Sequence, residues 1–297
     1  MGELRSYADF GLMRSWRQVV NAVTTDHAAG LAPLKVGLER DVDRLETQLG
    51  EQLTGLRLLE IGPGQGLERA HYLGLSNTVE ALDLDVVSAR DAAGWWRMAR
   101  TNGAGRVVKS LGRELLVNRS ARRSWIDLVG GTSFIRPRSH QGDIVDWRPA
   151  HGAFDAVVSW SVFEHVSDPR AALAGVIEAL RPGGAALISI HNYTSANGHH
   201  DIRSFTGVDD QRLLWGHLRP STAAGIRPSA FLNEWRLADW RRLFDELTPG
   251  YVEYLDQYEH PEVFGPLIDG AFAEELDGYS RDELLTVNAV FVFRKAD

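Results

Sequence analysis

The chain has 297 residues, 44% hydrophobic and 24% charged, an ordinary composition for a soluble globular protein with ample apolar material for a core. Its net charge of −8 argues against a general nucleic-acid binder, and the absence of cysteine excludes disulfide scaffolds, cysteine nucleophiles, Cys-ligated zinc and iron–sulfur clusters. No apolar run approaches the roughly 20 residues needed to span a bilayer, and residues 1–10 lack the charged-then-apolar pattern of a signal peptide. The expectation is a cytoplasmic protein with no membrane span and no nucleic-acid partner.

In chain order, residues 1–55 read as a helical N-terminal extension, because Leu34, Leu38, Val42, Leu45 and Leu49 recur at three- and four-residue steps. From 56 to 297 apolar strands alternate with helices, which predicts an α/β, Rossmann-like, mostly parallel sheet with helices on both faces. Strands are expected at 57–61, 78–82, 133–136, 154–159 and 185–191. A helix over 169–180 should stop at Arg181-Pro182-Gly183-Gly184, since proline cannot continue it and glycine supplies a left-handed turn. A helix over 230–247 and strands at 251–258 and 287–294 complete the series.

Two insertions interrupt it. The first, 86–131, carries nine basic residues (Arg90, Arg97, Arg100, Arg106, Lys109, Arg113, Arg119, Arg122, Arg123) against three acids, Asp91, Glu114 and Asp127. That excess suits an anionic ligand or, equally, a solvated helical face. The second, 192–229, is rich in Gly, His, Arg, Ser and Thr and is long for a connection, as a lid or substrate loop would be.

The most informative stretch is 58–66, Leu-Leu-Glu-Ile-Gly-Pro-Gly-Gln-Gly. Without Cβ atoms, Gly62, Gly64 and Gly66 allow positive φ and close approach of the main chain to a ligand. A dinucleotide fingerprint would need its third glycine at 67, where this chain has Leu67, so a nicotinamide-dependent oxidoreductase is disfavoured. An acid followed by G-x-G-x-G instead resembles motif I of the class I S-adenosylmethionine (SAM) methyltransferases. Val79-Glu80-Ala81-Leu82-Asp83 closes an apolar strand on an acid able to accept both ribose hydroxyls. Asp85 carries the same charge, but Asp83 sits at the strand end. Gln141-Gly142-Asp143-Ile144 offers a carboxylate for the adenine amine and an apolar cover for its ring.

Behind these come Phe154-Asp155-Ala156-Val157-Val158-Ser159, Glu164-His165-Val166-Ser167-Asp168-Pro169 and Leu180-Arg181-Pro182-Gly183-Gly184. With the glycine motif they resemble, over 57–191 apart from the first insertion, the small-molecule branch of that family. The resemblance implies a seven-stranded sheet whose last strand is antiparallel, SAM converted to S-adenosyl-L-homocysteine, and in-line methyl transfer. Its cofactor residues would be Glu60, Gly62, Gly64, Gly66, Asp83, Leu84, Asp143, Ile144 and Ser159.

Because the sulfonium is already an activated donor, the protein mainly aligns the nucleophile and excludes water. A sugar hydroxyl additionally needs a base or a metal. His165, at the turn after the fourth strand, and His191, ending the fifth, are the candidate catalytic residues, with His199 and His200 as further candidates. Some relatives hold a divalent ion through E-x-x-E-H on this turn. Here Ser161 replaces the first acid, so a metal is not favoured and no metal ligand is assigned. The segment 191–200, dense in neutral donors and acceptors, favours O-methylation of a sugar hydroxyl on a saccharide or glycan precursor. Tryptophans such as Trp95, Trp96, Trp215, Trp235 and Trp240 fit equally a phenolic or polyketide-like acceptor. A non-catalytic SAM-binding sensor or assembly subunit is the reading from a different class.

Overall fold

The computed structural model describes residues 27–84, 119–148, 152–205 and 210–296. They fall into two compact units, one within 27–158, 175–186 and 294–296, the other comprising 159–174 and residues within 187–293. Seven strands make one sheet in the order β3-β2-β1-β4-β5-β7-β6: β1 Arg57–Ile61, β2 Thr78–Asp83, β3 Arg138–Gln141, β4 Phe154–Trp160, β5 Leu180–His191, β6 Val252–Gln257 and β7 Thr286–Arg294. β1 pairs in parallel with β2, and β2 with β3, whereas β6 and β7 run antiparallel. This is the mostly parallel sheet with an antiparallel end that the sequence predicts.

In the first unit, α1 (His27–Leu49) buries Leu38, Leu45 and Leu49 along one stripe and packs on α3 (Arg119–Val129). A single apolar stripe is the pattern expected of a helix lying on a core. Between β1 and β2 lies the short α2 (Glu68–Gly74). Trp125 of α3 is fully buried and donates its indole N–H to the Glu68 carbonyl, fixing the start of α2. α4 (Pro169–Ala179) leads directly into β5.

In the second unit, α5 (Leu237–Leu247) buries Trp240 and Phe244, and Phe244 stacks on Phe291 of β7 at 4.1 Å. A second cluster packs Trp215 against Ile268, Phe272, Leu276, Leu284 and Leu285, drawn from the chain around α6 (Pro261–Pro266), α7 (Ala273–Leu276) and α8 (Arg281–Leu285). Arg219 lies 3.6 Å over the Phe272 ring. Among the described residues no helix is long and apolar enough to cross a membrane.

Three expected boundaries are corrected. The third strand is not 133–136 but Arg138–Gln141. Phe134 stacks on the buried His71, and the Ile135 amide donates to His71 Nδ1, so this apolar pair packs on α2 instead of joining the sheet. The true edge strand is polar, held by Glu80, whose carboxylate bonds His140 at 2.6 Å and Arg57 at 3.0 Å. The helix expected from 230 begins at Leu237, because Glu234 adopts φ 60° and Arg236 is still extended. The Arg181-Pro182-Gly183-Gly184 turn does end α4, yet it lies inside β5. Gly183 takes φ 70° there and exchanges main-chain hydrogen bonds, with Gly184, to Lys295.

Of the first insertion, only the α3 portion is described. Arg90, Arg97, Arg100, Arg106, Lys109 and Arg113, like Asp85, Trp95, Trp96 and the part of the N-terminal extension before His27, lie outside the described residues.

Candidate functional site

Two polar regions contain the predicted site residues. The first surrounds the glycine turn after β1. Gly62 and Gly64 both sit at φ 67°, where a side chain would be strained. A Cβ on Gly66 would lie 2.0 Å from the Glu68 carboxylate. Leu67 also takes a left-handed conformation, φ 65° and ψ 22°, although it is not glycine. That conformation costs an L-residue about 1–2 kcal/mol, offset here by complete burial of the leucyl side chain. The turn thus acquires left-handed geometry at 67 without the glycine of a dinucleotide fingerprint.

Main-chain hydrogen bonds join the three strand ends. The Gly62 amide donates to the Leu82 carbonyl at 2.8 Å, and the Gly142 amide to the Asp83 carbonyl at 3.0 Å. Glu60, Asp83 and Asp143, far apart in sequence, are thereby gathered at one end of β1, β2 and β3. Glu60 is 1% exposed and its Oε2 has no hydrogen-bond partner. Burial pushes its carboxyl up to about 8; Arg69 pulls it down, while Glu68 and Asp83 push further upward. A buried carboxylate with one oxygen unsatisfied, beside a glycine turn, is an acceptor suited to a cationic donor. Asp83 is half-buried at its strand end. Asp143 turns back on its own loop, accepting from the Val145 amide at 2.9 Å. Ile144 is buried, whereas Leu84 is exposed.

The second region lies in the other unit, after β4 and β5. β4 buries Ser159 just before its end at Trp160 and passes through Ser161, at φ 54°, into a single 3-10 turn, Phe163–His165. Asn233 clamps that turn, its side-chain amide donating to the carbonyls of Phe163 and Val166 while its main-chain amide donates to that of Glu164. His165 Nδ1 lies 2.7 Å from the Phe231 carbonyl and must donate to it, which leaves Nε2 with the lone pair. Burial lowers its pKa, opposed by that hydrogen bond. The rings of His165 and His200 are 4.7 Å apart, and those of His191 and His200 are 4.6 Å apart. His191 Nε2 bonds Asn197 Oδ1 at 3.0 Å, and that oxygen also accepts the Tyr258 hydroxyl. Burial, aided by neighbouring histidines, lowers His191 to about 4 and His200 to about 3. Three neutral imidazoles therefore share this region.

Several polar groups expected to face a ligand are spent internally. Asn192 donates to the carbonyls of Glu283 and Thr286, and Thr194 is fully buried and bonds Asn192. His199 bonds the Leu213 carbonyl through Nε2 and accepts the Asp201 amide at Nδ1. For Asp201, burial alone would raise the pKa. Hydrogen bonds from the Arg203 side chain and from the amides of Arg203 and Arg227 outweigh it, holding the carboxyl down at about 2. Trp215 and Trp240 are core residues. Nothing in the sequence spacing marks Tyr258, Phe231 or Asn233, because each reaches a partner distant in the chain, whereas Asn197, close to His191, lies within the polar segment 191–200. Phe205 and Phe231, about half exposed, stand beside the histidines.

A family described as a methyltransferase domain matches residues 35–247, well over half of the chain, and the chain belongs to it. It is a SAM-dependent methyltransferase with a Rossmann-like fold. No curated protein matches it in sequence. Among solved structures it is similar to a putative methyltransferase of Bacillus halodurans, at 14% identity and TM-score 0.43, covering 87% of this chain and 100% of that one. A putative SAM-dependent methyltransferase of Methanococcus maripaludis gives 12%, 0.46, 100% and 98%. The phosphoethanolamine N-methyltransferase 2 of Haemonchus contortus, in complex with phosphomonomethylethanolamine and S-adenosylhomocysteine, gives 16% and 0.45 over 87% of this chain and 53% of that one.

Proposed function

We propose that the protein transfers the methyl group of SAM to a hydroxyl of a saccharide or glycan precursor, with His165 as the general base. The observation that carries this reading is the anchoring of His165. Its Nδ1–H is committed to the Phe231 carbonyl, so a neutral ring is held with the Nε2 lone pair free to take a proton. A carboxylate acceptor, already ionised, would need no such group, and an amine or phenol would need it less than a sugar hydroxyl. The half-exposed phenyls of Phe205 and Phe231 supply apolar surface of the kind that packs on a pyranose face. A phenolic acceptor would use the same phenyls and is the second reading.

On the cofactor side, Glu60 is read as the acceptor for the methionyl ammonium, and the main chain at Gly62, Gly64 and Gly66 as the surface against which SAM lies. Asp83 takes the ribose hydroxyls with Leu84 beside it, Asp143 the adenine amine and Ile144 its face, with Ser159 closing the set. His191, tied through Asn197 to Tyr258, supports the acceptor side. The reaction itself is an in-line displacement: the acceptor oxygen bonds the methyl carbon as the carbon–sulfur bond breaks. The sulfonium electron pair returns to sulfur, and the hydroxyl proton passes to His165 Nε2.

The test is turnover across a panel of methyl glycosides, oligosaccharides and phenols, read as a 14-unit mass gain, followed by the position of the new methyl group. Methylation confined to phenols would replace the sugar reading, and SAM binding without turnover on any acceptor class would favour a sensor.

A further inference from the structure

Glu164 follows β4 on the 3-10 turn and is 3% exposed. Neither of its carboxylate oxygens has a hydrogen bond of good geometry. The main-chain amides of Glu164 and His191 only temper the effect of burial, which pushes this carboxyl up to about 8. A buried carboxyl left in this condition is costly, and such groups in folded proteins ordinarily have a partner.

Two histidines surround it. One atom each from Glu164, His191 and His200 lie within 4.8 Å of one another. Nε2 of His200 is buried and, like the Glu164 oxygens, has no partner. His200 is also held at φ 51°, an uncommon conformation for a residue with a side chain. His191 donates Nε2–H outward to Asn197 Oδ1, which leaves lone-pair character at Nδ1. An outward hydrogen bond from the far ring nitrogen is the arrangement that orients a metal-ligating imidazole.

We propose that Glu164, His191 and His200 form a binding site for a divalent transition-metal ion, zinc or a first-row neighbour. Two imidazoles and one carboxylate, without thiolate and without an all-oxygen shell, favour that class over magnesium or calcium. A bound dication keeps Glu164 ionised and gives partners to its oxygens and to His200. Ligand atoms around tetrahedral zinc stand roughly 3.3 Å apart, so side-chain movements of about 1 Å complete the shell. The set also differs from E-x-x-E-H. Ser161 removes the first acid of that motif, and the other donors come from the end of β5 and the segment after it.

Three protein ligands leave a coordination position open to water or to an acceptor hydroxyl, whose pKa the ion would lower. That role, unlike the site itself, rests on the O-methylation reading above.

Chelator-stripped full-length protein titrated with cobalt(II) chloride, followed by visible absorption and calorimetry, should bind one equivalent that zinc displaces. Glu164→Gln and His200→Ala should each weaken cobalt affinity at least about 10-fold while SAM affinity, measured by calorimetry, stays within about twofold. Absence of stoichiometric cobalt or zinc binding, or binding unchanged by both substitutions, overturns the site. If a substitution unfolds the chain, zinc-edge X-ray absorption of the wild-type protein decides: two imidazoles and one carboxylate are expected, and an all-oxygen shell overturns the assignment. Metal binding without methylation of any hydroxyl acceptor would sink the acceptor reading and leave the site standing. Metal-free turnover on sugars that depends on His165 would overturn the ion's role in lowering the hydroxyl pKa and leave both the site and the acceptor reading standing.

Discussion

At the glycine turn Glu60 is buried with an unpartnered oxygen and Gly62 and Gly64 hold φ 67°, whereas in segment 191–217 Asn192, Thr194 and His199 bond to their own surroundings. In the turn, main-chain conformation is the constraint, so its requirement is written in residue identity. In the histidine segment an identical side chain serves packing or chemistry according to which neighbours reach it. His199 and His200 are adjacent, yet His199 has both ring nitrogens engaged and His200 has a buried Nε2 with none. Polarity of sequence alone cannot separate them.

The sharpest way to break this contrast is His165→Ala. Loss of a general base is expected to lower turnover about 10²- to 10⁴-fold, with SAM affinity unchanged by calorimetry. Equal turnover in the variant would place His165 with the packing histidines. The next largest effect tests the claim that Trp215 belongs to the core. It is fully buried, meets Phe264 edge-on at 5.4 Å and donates to the Leu284 carbonyl. Trp215→Ala should cost about 3–5 kcal/mol in chemical denaturation; a near-neutral result with lost acceptor affinity would restore it to a substrate role.

Glu60→Gln separates binding from stability. Loss of a charge-assisted hydrogen bond, about 1.5–3 kcal/mol, should raise the SAM dissociation constant about 10- to 100-fold, and unchanged affinity would remove Glu60 from the cofactor site. The stability sign is opposite. The folded pKa of about 8 lies above the ordinary 4.5, so the folded chain keeps a proton that the unfolded chain releases. Its contribution is fully present below pH 4.5 and is lost as pH rises toward 8. Wild type should therefore lose stability relative to Glu60→Gln across that window, while wild-type SAM affinity rises with pH. Parallel stability curves would contradict the burial of Glu60 with one oxygen unpartnered. The smallest effect is expected at the surface, where Arg170 pairs with Glu246 and both are about half exposed. Arg170→Ala should change stability by less than about 0.5 kcal/mol, and a larger loss would show that the pair orders the turn preceding α4.

Much of the fold was legible. β1 runs over the predicted residues, and β2, β4, β6 and β7 differ from expectation by only one or two residues at their ends. Buried parallel strands read as continuous apolar runs, and glycine and proline punctuate them. β3 escaped because an edge strand can be polar, while the apolar Phe134-Ile135 pair beside it belongs to the packing of α2.

By itself the sequence determined the methyl donor's class, since Glu60, the three glycines and Asp83 encode a strand-end turn whose geometry few residues permit. Only the tertiary structure decided which histidines are structural and which are available. That distinction depends on Phe231 and Asn197, which folding brings to His165 and His191, on Tyr258, which donates to the same Asn197 oxygen, and on Glu164, whose buried carboxylate oxygens folding leaves without a hydrogen bond of good geometry.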